Sequence, residues 1–219
     1  MFSVQSERER ITTPRSAASF GVSFVDFQFR GPAESVGTPA DYSFSAPLAH
    51  LRLDLQGLTL YGIYGRNLGD QSNVYSEFGA EISGGIVLVP GAAFNVVLPI
   101  ALATDYVLAR NQRIQSTAEE FRQNNLGIKG GLQINARLSP QARFTAEATT
   151  GYSFSITGYG LSSGNAVDWQ LNNRVYFDRL FNQFGIVAGF DLKSRRYNLE
   201  ENDFNYRTIY QNIVIGVTF

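Results

Sequence analysis

From Asn125 to Leu138 the chain reads NLGIKGGLQINARL, and its larger apolar residues recur at every second position. Leu126, Ile128, Gly130, Leu132, Ile134, Ala136 and Leu138 fall on one side, and Gly127, Lys129, Gly131, Gln133, Asn135 and Arg137 on the other. This period of two is that of a β-strand with one apolar and one polar face. Ser139 to Ala142 (SPQA) reads as a turn, and the alternation resumes from Arg143 to Thr157. There Phe144, Ala146, Ala148, Tyr152, Phe154 and Ile156 oppose Arg143, Thr145, Glu147, Thr149, Gly151 and Ser153. Ordinary soluble strands average about 5–6 residues, whereas about 9–11 tilted residues cross a bilayer. Runs this long predict membrane-crossing strands.

The same pattern recurs in both directions. Trp169, Leu171, Val175 and Phe177 alternate with Asp168, Gln170, Asn172, Arg174, Tyr176 and Asp178. Phe184, Ile186, Ala188, Phe190 and Leu192 alternate with Gly185, Val187, Gly189, Asp191 and Lys193. The last strand, Ile209 to Phe219, sets Ile209, Ile213, Ile215, Val217 and Phe219 against Tyr210, Asn212, Val214, Gly216 and Thr218. Upstream, Ser76–Val89 and Ala92–Leu108 form a hairpin at Pro90-Gly91, and further strands lie near Phe20–Arg30, Tyr42–Leu55 and Leu58–Arg66. A phase shift near Phe24-Val25 predicts a bulge.

Connections alternate in length. Arg195–Asp203, Gly158–Ala166, Ala109–Asn124, Asn67–Tyr75 and Gly31–Asp41 are long. Arg179–Asn182, Ser139–Ala142, Pro90-Gly91 and Gln56-Gly57 are short. Gln56-Gly57 is the weakest break, because Leu51, Leu53, Leu55, Gly57, Thr59, Tyr61 and Ile63 hold one phase through it. The expected fold is all-β: a transmembrane antiparallel up-and-down β-barrel of about ten strands, with eight as the alternative, over residues 17–219. Residues 1–16 read as a periplasmic tail, with a plug as the alternative; Ala118–Gln123 reads as a helical turn in a polar loop. Phe94, Phe144, Phe177, Phe184 and Phe219 fall beside the short turns, and Tyr61, Tyr106, Phe154, Tyr159, Trp169, Tyr197 and Tyr206 near the long loops. Two aromatic rings bounding an apolar band suit two membrane interfaces. A soluble ligand-binding barrel is the competing reading, but it would keep its apolar face inside.

The closing stretch NIVIGVTF, with Ile213, Ile215 and Val217 alternating before terminal Phe219, resembles the C-terminal β-signal of bacterial outer-membrane β-barrel proteins. This chain has Val217 where that family usually has an aromatic. The resemblance implies outer-membrane localisation, lipid as surroundings, and the barrel-assembly machinery as a partner in biogenesis. It also implies a mature chain whose signal peptide precedes this numbering, since MFSVQSERERITTPRS has no apolar core segment.

Under this reading the polar face lines the lumen. It carries Arg52, Lys129, Arg137, Arg143, Arg174 and Lys193 against Asp54, Glu77, Glu81, Asp105, Glu147, Asp168, Asp178 and Asp191. Near balance implies mutual neutralisation, as buried charges require. The expected ion-pair network is Arg52, Asp54, Glu81, Lys129, Arg137, Arg143, Glu147, Arg174, Asp178 and Asp191. Arg137 and Arg143 face each other across a hairpin, a destabilising pairing that Asp178 is placed to relieve. An arginine constriction selecting anions is the functional alternative. With small residues at Gly127, Gly131, Gly151, Gly185, Gly189 and Gly216, ten strands leave a packed interior or a narrow path.

Composition narrows the chemistry. Lys+Arg is 18 against 19 Asp+Glu, so nothing marks a nucleic-acid binder. The absence of Cys removes disulfides, thiolate nucleophiles and Cys-metal sites. His50 is the single histidine, and Ala49 and Leu51 beside it offer no nucleophile. Glu77, Asp105 and Asp168 lie near the outer rim on strands expected to stand apart, and Glu119-Glu120 reads as solvated loop. No P-loop, GxSxG or EF-hand motif occurs. No catalytic residue, metal or cofactor is implied. The expectation is a monomeric, non-enzymatic, porin-like membrane barrel with a narrow or occluded polar lumen. Its alternatives are an extracellular-loop binding or adhesion module and an outer-rim hydrolase.

Overall fold

The computed structural model describes residues 16–30, 41–67, 73–111, 120–157, 164–181, 183–198 and 205–219. They form ten strands: β1 (Ala17–Arg30), β2 (Asp41–Leu55), β3 (Leu58–Arg66), β4 (Asn73–Val89), β5 (Phe94–Asn111), β6 (Glu120–Arg137), β7 (Ala142–Thr157), β8 (Gly164–Phe181), β9 (Phe184–Asn198) and β10 (Asn205–Thr218). Each strand pairs antiparallel with its sequence neighbours, and β1 pairs β10, so the sheet closes into a barrel. Closure leaves no strand as a free edge of the sheet, which is what lets a β-structure stand in lipid. The tail residues 1–15 lie outside the described residues, as does Tyr159.

The outward faces carry what the alternation predicts. Phe20, Leu51, Ile82, Ile100, Leu126, Ile128, Phe154, Trp169, Ile213 and Ile215 all stand exposed on the barrel wall. Along β6 the outward apolar run goes from Leu126 to Leu138. At about 3.3 Å per residue and a tilt near 40°, it spans roughly 30 Å, the thickness of a hydrocarbon core. An apolar surface of this extent is stable only against lipid. The barrel is a transmembrane one.

Four tight turns and both described termini gather at one end, and the longer connections at the other. The Gln56-Gly57 break is a true two-residue turn, and Gly57 has φ of 77°, a conformation open to glycine. The phase held through it is misleading. Leu60 and Tyr64 face outward, whereas Tyr61 and Ile63 face in. The ends of β1 and β10 form the seam of the barrel, where Phe219 N donates to Ser16 O at 2.9 Å. Gly216 permits the seam: a Cβ there would sit 2.2 Å from Ala18 O.

Three expectations are corrected. No bulge interrupts β1; its register with both neighbours is continuous through Phe24 and Val25. The phase appeared to shift because Val25 and Phe27 point into a lumen that is itself apolar at that level. Glu120–Gln123 belong to β6, not to a helical turn. Strands also run further into the long connections than the alternation suggests, most consequentially in β9, which continues through Arg195 to Asn198.

Candidate functional site

The lumen is layered. Nearest the long-loop end lies an apolar, aromatic layer of Val25, Phe27, Phe44, Leu48, Tyr75, Val107, Tyr197 and Tyr206. Its rings pack on one another: Phe27 lies 5.9 Å from Tyr75 and 5.6 Å from Tyr206, Phe44 lies 5.7 Å from Tyr75, and Tyr197 lies 5.1 Å from Tyr206. Such pairs add to the area they bury. Tyr197 and Tyr206 are therefore not interface-girdle residues, and neither is Tyr61. Trp169 and Phe154 do face outward, as do Phe94, Phe177, Phe184 and Phe219 at the other end.

Directly beneath lies a charged layer that crosses the bore. Lys193 on β9 reaches Glu77 on β4, half-way round the barrel, at 3.1 Å. Glu77 also accepts from Tyr75 at 2.9 Å and Tyr61 at 3.1 Å, and Tyr75 bonds Tyr210 at 2.8 Å. The Lys193 ammonium lies 5.3 Å from the Tyr61 ring centre and 5.1 Å from that of Tyr210. Beside this, Arg195 forms a two-pronged pair with Asp105, at 2.8 and 2.5 Å, and reaches Asp168 at 3.4 Å. Asn125 donates to Asp105 at 2.5 Å, and Ser155 and Gln123 extend the chain to Tyr206. Arg195 is 1% exposed and Glu77 0%, so no bulk water screens them.

Sequence reasoning missed Arg195, assigning it to a loop, and it held Asp105 and Asp168 apart. One guanidinium brings those two carboxylates together. The charge pattern gave Glu77 and Lys193 as lumen residues, but nothing local could show that they meet.

The ten network residues named from the sequence all face inward, in the lower two-thirds of the bore. Arg52 pairs with Asp54 at 2.9 Å, and Thr59 donates to Asp54 at 2.8 Å. Lys129 pairs with Glu81 at 3.1 Å. Arg174 holds Asp191 through two contacts, one at 2.8 Å. Among the described residues Glu147 has no salt-bridge partner; it accepts from Asn172 at 3.0 Å. Arg137 stands opposite Arg143 in the register, and Arg143 grips Asp178 at 2.5 and 2.8 Å. Asp178→Asn should therefore leave Arg137 and Arg143 in repulsion and cost about 1 kcal/mol. Adding Arg137→Gln should recover most of that loss, as a double-mutant cycle on urea unfolding would read.

These side chains leave little space. A cavity among His50, Arg52, Glu77, Lys129, Asp191 and Lys193 has a volume of about 30 Å³. That holds no more than a few waters. His50 faces it, buried, with Nδ1 unpartnered among the described residues. Among the described residues no nucleophile bonds it, and no His, Asp and Glu group is arranged to hold a metal. The aromatic layer separates Asp105 and Asp168 from the loop end.

No family profile matches the chain, and no curated protein resembles it in sequence. Solved structures align over nearly its whole length. The outer membrane protease OmpT of Escherichia coli aligns at 10% identity over 97% of this chain and all of that one, with a TM-score of 0.44. The attachment invasion locus protein Ail of Yersinia pestis, crystallised with the heparin analogue sucrose octasulfate, aligns at 11% identity over 95% of this chain and all of that one, with a TM-score of 0.32. The Pseudomonas putida toluene transporter TodX aligns at 10% identity over 95% and 91% of the two chains, with a TM-score of 0.28. These are a protease, an attachment protein and a transporter, and the likeness at these values transfers none of those activities. The membrane-spanning barrel stands on its own lipid-facing wall and closed strand order.

Proposed function

We propose that the chain is a non-enzymatic outer-membrane barrel whose lumen is occluded by its own side chains, so that it serves as a structural barrel and not as an open pore. The observation that carries this reading is the strut from Lys193 to Glu77 across the full bore, roofed by the aromatic layer. A conducting path needs continuous water, and here Lys193 and Arg195 pair with Glu77 and Asp105 across the bore instead. The carboxylates a hydrolase would use are held in buried ion pairs, and among the described residues no nucleophile bonds the one histidine. Outer-membrane lipid surrounds the wall. The protein is read as a monomer, and Ile213, Ile215, Val217 and Phe219 supply the outward-facing terminal segment that the barrel-assembly machinery would engage.

The chain has no cysteine, so a single introduced thiol reports alone. Thr145 faces the lumen in its short-turn half. In vesicles, T145C should stay unlabelled by a membrane-impermeant maleimide supplied at the loop side, and should react when the reagent is supplied at the turn side. Rapid labelling from the loop side would refute occlusion. Binding to loop ligands that disappears on loop trimming would favour the adhesion reading instead.

A further inference from the structure

We propose that Arg196 and Arg207 form an outward-facing binding site for the phosphate of an anionic lipid head group, one that carries no cation of its own, at the long-loop rim of the membrane band. This rests on the membrane-spanning reading and goes beyond it by naming a ligand.

The first observation is where outward charge sits. Among the described residues, the exposed charged side chains are Asp26, Arg66, Arg110, Arg122, Arg196 and Arg207. All lie within a few residues of the long-loop ends of their strands, and five of the six are arginine. No charge is exposed on the apolar band or, among the described side chains, at the short-turn end. Basic residues confined to one rim put positive potential at one head-group layer.

The second observation is local. Arg196 of β9 and Arg207 of β10 are directly opposite in the register. Facing Cβ atoms in such a pair lie about 4.5–5.5 Å apart, and like charges there repel. Among the described residues neither guanidinium has an ion-pair partner. Val167 flanks Arg196 on β8, and exposed Gln28 flanks Arg207 on β1. Asp26 lies diagonally, opposite Ile209, and offers one carboxylate to two cations. Two guanidinium forks side by side, with a glutamine amide beside them, match the several oxygens of a phosphate. Ile213 and Ile215 below them would meet the same lipid's acyl chains.

The test compares the wild-type protein with R196Q/R207Q in vesicles of phosphatidylcholine alone, of phosphatidylcholine with phosphatidic acid, and of phosphatidylcholine with inorganic phosphate in the buffer. Wild type should gain thermal stability in the phosphatidic acid vesicles and retain that lipid in native mass spectrometry. The variant should lose the gain and about tenfold of the retained lipid. In phosphatidylcholine alone the variant should be as stable as wild type or more so, because the repulsion is gone; a general folding defect would lower it everywhere. D26N should raise lipid retention. Equal gains in wild type and variant would overturn the site, and equal protection by inorganic phosphate would overturn its assignment to a lipid. Failure of the wild type to insert into any vesicle would instead contradict the membrane barrel beneath it.

Discussion

Replacing Arg195 with alanine should cost about 3–5 kcal/mol of folding stability, because it strands two buried carboxylates without their cation. Asp105 and Asp168 both converge on that guanidinium, and all three side chains lie within the closed wall. Urea unfolding in lipid vesicles would read the loss as a lowered midpoint with an unchanged slope. Removing a charge on each side should cost less than removing one: R195A/D105N should recover a substantial part of the loss, since it leaves one carboxylate uncompensated instead of two. If R195A alone were silent, the charged layer would be ornamental to the fold.

The second large effect concerns permeability. Glu77→Ala with Lys193→Ala removes a cation and an anion together, so the net charge is kept while the strut across the bore disappears. Tyr75→Ala then removes the ring that roofs it and the hydroxyl that links Glu77 to Tyr210. The triple variant should turn a silent barrel into one with discrete openings in a planar bilayer. The pair of charge-neutral changes alone should give a smaller or intermittent current, because Phe27, Phe44 and Tyr206 still pack above.

The wall of this barrel was legible in the sequence and its interior only in part. Lipid demands an unbroken apolar face, so β6 to β10 announce themselves through Leu126, Phe154, Trp169, Phe190 and Ile213 against polar partners. The Arg143–Asp178 pair could be foreseen because both ends lie beside short turns, where register is tightly set. Beyond the lipid band the rule weakens. Outside, Asp26 and Arg196 replace apolar residues; inside, Val25, Phe27 and Phe44 replace polar ones. The contrast between faces then vanishes or inverts, which produced the apparent bulge in β1 and hid Arg195 in a loop. The decisive contacts are also remote. Lys193 and Glu77 are 116 residues apart, and Arg195 and Asp105 are 90 apart. Pairing between neighbouring strands places a residue on the inner face but does not say which side chain meets it across the bore.

The most direct test of the occluded lumen is the conductance of the refolded wild-type protein in a planar lipid bilayer, with folding first established by heat-modifiable gel mobility. Folded protein that passes no steady current, beside a Y75A/E77A/K193A variant that does, is the result expected of an occluded lumen. Steady discrete openings from the wild type would contradict it, because they would require a continuous water path through the layer where Lys193, Glu77 and Arg195 meet.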